Sequence, residues 1–131
     1  MTYKILIVDD SATTRAIIKR TIQMAKIPID QTYEAANGKL ALALLAEHSV
    51  DLIVADLHMP EMDGVEMSRQ ILANPLTRST PVIIVTADPN PQRIAELRQQ
   101  GVRAILRKPF TPEAVRKVIE EVIGASLCPT H

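Results

Sequence analysis

Four short apolar runs constrain this chain more than any other feature: Ile5-Leu6-Ile7-Val8, Leu52-Ile53-Val54-Ala55, Val82-Ile83-Ile84-Val85 and Ala104-Ile105-Leu106. None alternates with polar residues. A strand with one face in water alternates, whereas a strand covered on both faces reads as a continuous apolar run. The runs therefore predict central strands of a parallel sheet with helices on each side. A fifth segment, Thr32-Tyr33-Glu34-Ala35, mixes polar and apolar residues as an edge strand does.

Helical periodicity fills the gaps. Ile17, Ile18, Thr21, Ile22 and Ala25 recur at helical spacing, as do Leu40, Ala41, Leu44 and Leu45. Met67, Ile71 and Leu72 mark a third helix, and Ile94 and Leu97 a shorter fourth. Val115, Val118, Ile119 and Val122 give the clearest stripe, opened by an N-cap threonine and N1 proline in Thr111-Pro112-Glu113. On that helix Arg116 with Glu120, and Lys117 with Glu121, stand four apart on positions expected to face solvent. Strand and helix alternate five times, which is the order of an α/β domain with right-handed crossovers. Residues 1–124 are expected to form one domain, with 125–131 a tail after Gly124.

The 15 basic and 15 acidic residues cancel, which argues against a nucleic-acid partner. A single cysteine, Cys128, can neither staple the domain nor build a zinc site. There is no basic leader followed by an apolar stretch, and no run long enough to span a bilayer. A cytoplasmic protein without membrane insertion is expected.

In open α/β sheets, ligands meet the carboxyl ends of the strands. Asp9 and Asp10 follow the first run, Asp56 the third, Thr86 the fourth and Lys108-Pro109 the fifth. Each has an ordinary explanation: helix capping for the Asp9-Asp10 pair, a turn for Asp56, a strand end for Thr86, snorkelling for Lys108. Those explanations do not account for all five at one edge. Three crowded carboxylates repel each other unless a cation sits among them. Magnesium, hard and oxygen-seeking, suits such a site, and manganese can replace it. A divalent ion and Lys108 would favour an incoming phosphoryl group, and a carboxylate can attack it to give an acyl phosphate.

With these residues in place, the chain resembles the receiver domains of response regulators in two-component signalling. The matching pieces are Ile5-Leu6-Ile7-Val8-Asp9-Asp10-Ser11, Asp56-Leu57-His58-Met59-Pro60-Glu61-Met62-Asp63-Gly64, Val85-Thr86-Ala87 and Lys108-Pro109-Phe110. The similarity covers residues 4–124, and Asp-Asp-Ser followed by Arg15 is most similar to stand-alone chemotaxis-type receivers. The resemblance implies a flavodoxin-like, doubly wound (βα)5 three-layer sandwich with strand order 2-1-3-4-5. It implies that Asp56 accepts a phosphoryl group from a phosphohistidine on a sensor histidine kinase or histidine phosphotransfer protein. It implies that Asp10, Asp56 and the backbone carbonyl of His58 ligate magnesium, with Asp9 acting through a metal-bound water. Lys108 and the Thr86 hydroxyl would contact phosphoryl oxygens, and a cis peptide would precede Pro109. The output would be a surface change around the fourth helix, fifth strand and fifth helix, read by a downstream protein and reset by a phosphatase. Candidate surface residues are Gln92, Arg93, Glu96, Arg103, Arg107, Arg116 and Lys117. One departure is Ile105, where the family often carries an aromatic ring that reports the state of the threonine.

Three rivals share parts of this pattern. A flavodoxin-like FMN protein needs a hydroxyl- and glycine-rich loop where Asp9 and Asp10 stand, and Tyr3, Tyr33 and Phe110 leave little to sandwich a flavin. A haloacid-dehalogenase-type phosphatase wants a second aspartate two residues after the nucleophile, where His58 is found. A phosphorelay intermediate, passing its phosphoryl group to another histidine, shares every residue named above.

Overall fold

The computed structural model describes residues 2–57, 62, 64–87 and 90–123. His58, Asp88, the boundary expected at Gly124, the tail 125–131 and Cys128 lie outside the described residues.

Five strands alternate with five helices: β1 (Tyr3–Val8), α1 (Ala12–Met24), β2 (Ile29–Ala35), α2 (Gly38–Glu47), β3 (Leu52–Asp56), α3 (Gly64–Ala73), β4 (Val82–Thr86), α4 (Pro91–Gln100), β5 (Ala104–Arg107) and α5 (Pro112–Ile123). All paired strands are parallel, in the order β2-β1-β3-β4-β5. This is the doubly wound arrangement expected.

The apolar runs fill both faces because successive side chains on a strand point opposite ways. Ile5, Ile7, Leu52, Val54, Ile83 and Val85 pack against Ile18 and Ile22 of α1 and Val115 and Ile119 of α5. Leu6, Val8, Ile53, Ala55, Val82 and Ile84 pack on the other face against Ala41 of α2, Met67 and Ile71 of α3 and Leu97 of α4. The sheet is thus the middle of three layers. Truncating a fully buried residue such as Leu6 to alanine is expected to cost about 2–5 kcal/mol.

The edge strand β2 begins at Ile29, earlier than its weak pattern predicts, because Tyr3 and the following residues of β1 pair along it. Two members of the predicted apolar stripes are exposed. Ile17 is 57% and Leu40 is 50% accessible, since each lies at the rim of its helix stripe. Asn90 caps α4, its side chain accepting from the backbone N–H groups of Gln92 and Arg93. Thr111 caps α5 as expected, accepting from Ala114 N.

Candidate functional site: an acidic cluster at the strand ends

Strand register decides what meets at the carboxyl edge. Val8 pairs with Ala55, and Asp56 pairs with Val85. Asp9, following β1, therefore emerges beside Asp56 at the end of β3. One carboxylate oxygen from each of Asp9, Asp10 and Asp56 lies within 4.8 Å of the others. Lys108 reaches this cluster from beyond β5: its Nζ is 3.2 Å from Asp56 Oδ1 and 3.7 Å from Asp9 Oδ2. Thr86 ends β4, is buried, and accepts from Lys108 N at 2.8 Å through its backbone carbonyl. The Lys108–Pro109 peptide is cis, as the resemblance implied.

Ser11 is the N-cap of α1, its Oγ accepting from Thr14 N at 3.2 Å. Asp9 accepts from Ser11 N through Oδ1 at 2.9 Å, so it holds the capping residue while Ser11, and not the aspartate pair, caps the helix. Asp9 Oδ2, however, is buried and has no hydrogen-bond partner among the described residues. Burial raises the Asp9 pKa above the ordinary aspartate range; the Ser11 N–H opposes this, the Asp56 charge adds to it, Lys108 opposes it and Asp10 adds to it. A buried carboxylate oxygen lacking a donor, beside two further carboxylates, is an arrangement that a hard divalent cation satisfies. The donor set therefore fits such an ion.

Backbone geometry sets how closely these parts approach. Gly64 opens α3, and a Cβ there would lie 2.9 Å from the carbonyl oxygen of Asp56 and 3.0 Å from Leu57 Cα. Only a residue without a side chain lets α3 start this near the end of β3. Its N–H donates to Leu57 O at 2.8 Å, closing the loop that follows Asp56.

The structure thus brings together Asp9, Asp10, Asp56 and Lys108, with Thr86 one strand from Asp56. Two contributors were not read as such in the sequence. Gly64 was visible only as the last residue of a family-matching piece. Arg15, visible only as a family marker, donates from Nη1 to Asp9 O at 2.6 Å and pairs through Nε with Glu34 Oε1 at 2.9 Å. No local spacing signals a contact between α1 and the edge strand.

Comparison with known proteins agrees with this geometry. A family model described as the response regulator receiver domain matches residues 5–120. The chain is 37% identical over 119 residues to the chemotaxis protein CheY of Pseudomonas aeruginosa, covering 91% of this chain and 94% of that one. It is 34% identical over 122 residues to a CheY homolog of Campylobacter jejuni, covering 92% of each. Among solved structures, the chemotaxis response regulator CheY4 of Vibrio cholerae superposes with a TM-score of 0.81 at 31% identity, covering 93% of this chain and 99% of that one. The receiver domain of a Pseudomonas aeruginosa sensor histidine kinase shares the fold, with a TM-score of 0.81 at 24% identity over 95% of this chain and 99% of that one. That protein coordinates a magnesium ion in its active-site cleft.

Proposed function

The chain belongs to the response regulator receiver family and is a CheY-like, phospho-accepting receiver of two-component signalling; on that premise we propose that Asp56 is the residue that takes the phosphoryl group. The observation that carries this reading is the surroundings of Asp56: an ammonium at 3.2 Å and two further carboxylates within 4.8 Å.

Asp9, Asp10, Asp56 and the backbone carbonyl of His58 would hold magnesium, or manganese in its place. When bound, the ion supplies positive charge against the phosphoryl oxygens. The Asp56 carboxylate attacks phosphorus of a phosphohistidine on a sensor kinase or histidine phosphotransfer protein. The phosphorus–nitrogen bond breaks and its electron pair stays on the imidazole. The Lys108 ammonium neutralises charge on one phosphoryl oxygen and the Thr86 hydroxyl donates to another. Attack by water on the same phosphorus returns the Asp56 carboxylate and inorganic phosphate, so the domain promotes its own phosphorylation and slow dephosphorylation. A downstream protein reads the phosphorylated surface, and a phosphatase shortens its lifetime. One receiver domain over residues 1–124, with 125–131 as a tail, and a cytoplasmic location belong to the same proposal. Among the described residues no helix is long and apolar enough to cross a membrane.

The test uses acetyl phosphate as donor with magnesium present. Intact mass should rise by one phosphoryl group, and Asp56→Asn should abolish the gain. An undiminished gain in that variant places the acceptor elsewhere.

A further inference from the structure

The acidic cluster hangs on a short turn, and its backbone needs a partner beyond the end of the sheet. Asp9 N donates to Ala35 O at 3.0 Å, extending the pairing of β1 with β2 by one bond. Asp9 O receives Arg15 Nη1 at 2.6 Å. That carbonyl belongs to the peptide joining Asp9 to Asp10, so its direction fixes where the Asp10 backbone begins. Arg15 is itself held, its side chain only 16% exposed and its Nε on Glu34 Oε1 at 2.9 Å. One planar fork thus spans α1, β2 and the turn carrying both aspartates.

We propose that Arg15 is a positioning residue for the acidic site: braced by Glu34, it fixes the Asp9–Asp10 peptide and thereby sets the affinity of the carboxylate cluster for a divalent cation. The inference rests on the reading of that cluster as a cation site. Charge and positioning make opposite demands on Arg15. A guanidinium near three carboxylates repels an incoming cation, so its removal should tighten binding if charge alone matters. If position matters, removal loosens the turn and weakens binding. A lysine keeps the charge but cannot offer two donors in a fixed fork. Groups that orient metal ligands characteristically change affinity by about 10- to 100-fold when removed.

The experiment titrates manganese alone into the protein and follows free manganese by electron paramagnetic resonance. Thermal melting in chelator checks each fold. Wild type should bind one ion, and Asp10→Ala should lose it. Arg15→Ala should bind about tenfold more weakly despite losing a positive charge, and Arg15→Lys should be weakened by a similar factor. Arg15→Ala combined with Glu34→Ala should be no weaker than Arg15→Ala alone, because the brace has nothing left to hold. If Arg15→Ala does not fold, Arg15→Lys carries the test. Unchanged or tighter binding in the Arg15 variants overturns the proposal while leaving the cation site intact. Failure of wild type to bind manganese overturns the reading of the cluster, and the proposal with it.

Discussion

Lys108 Nζ lies 3.2 Å from Asp56 Oδ1, although 52 residues separate the two in the chain. The contact joins the ends of β5 and β3, with β4 between them. The same ammonium is 3.7 Å from Asp9 Oδ2, so one cation is shared by carboxylates from two strand ends. It would compete with a divalent ion held by those carboxylates. It also stands where a phosphoryl oxygen on Asp56 would need a positive partner.

Lys108→Met keeps most of the aliphatic stem and removes the charge. Magnesium should then bind several-fold more tightly, because a competing cation is gone. Phosphoryl uptake from acetyl phosphate should slow by about a hundredfold, the order lost when one charge-stabilising donor is removed. Calorimetric titration and a mass time course separate these effects. An unchanged uptake rate would take Lys108 out of the reaction.

Asp9 gives a pH dependence of defined sign. Its pKa is raised in the folded state, first by burial and then by the Asp56 charge against the opposing Ser11 N–H. The native state therefore holds that proton more tightly than the unfolded chain. Ionising Asp9 costs stability progressively as pH rises from the ordinary aspartate value through the raised folded value, and the full cost applies above it. Asp9→Asn can still accept from Ser11 N and should raise Tm in chelator at neutral pH by a few degrees. The gain should fade as pH drops below about 4, where both states are protonated. Magnesium should stabilise wild type more than this variant. A gain that is constant across pH would show that the charge of Asp9 is not its source.

Gly64 and Gly101 provide a matched pair. Alanine at 64 places a methyl group 2.9 Å from Asp56 O, and the obstacle is backbone, not a flexible side-chain tip. The cost should be about 1–3 kcal/mol, with a fall in phosphoryl uptake because Asp56 must move. Gly101 ends α4 at φ 102°, where alanine is strained but its Cβ meets only Leu72 at ordinary distance. Gly101→Ala should lower Tm with uptake unchanged. Equal uptake in both variants would show that the close approach of Gly64 does not govern the site.

What the sequence revealed follows from how each feature is encoded. The apolar runs disclose the sheet because burial on both faces removes alternation, and the strand ends then hand over Asp9, Asp10, Asp56, Thr86 and Lys108 in chain order. Features set by packing between distant elements leave no such trace. Arg15 with Glu34, and Gly64 under Asp56, are examples. Arg116 is another: four residues before Glu120, it reads as a solvent position. In the structure it reaches Glu120 only at 3.7 Å, is half-buried, and donates to Ala25 O at 2.9 Å. It ties α5 to the end of α1.

The output should be carried by α4 and the segment leading into it. Leu97 is the one fully buried residue of α4, while Gln92, Glu96, Arg98 and Gln99 are exposed. The helix begins at Pro91, five positions after Thr86, whose carbonyl accepts from Lys108 N, so a change at the Asp56 cluster has a route to both of its flanks. Ile105 packs against the same core face as Leu97 and carries no ring to rotate. The response is then expected as a shift over residues 86–107, selected from two packings by the new charge. Hydrogen exchange with and without beryllium fluoride, a phosphoryl mimic, should differ most over residues 86–107. Residues 40–47 on α2 should barely change, since that helix packs on β1 and β2, at the opposite flank of the sheet order from β4 and β5. Differences concentrated on α2, with residues 86–107 silent, would sink this account of how the signal leaves the site.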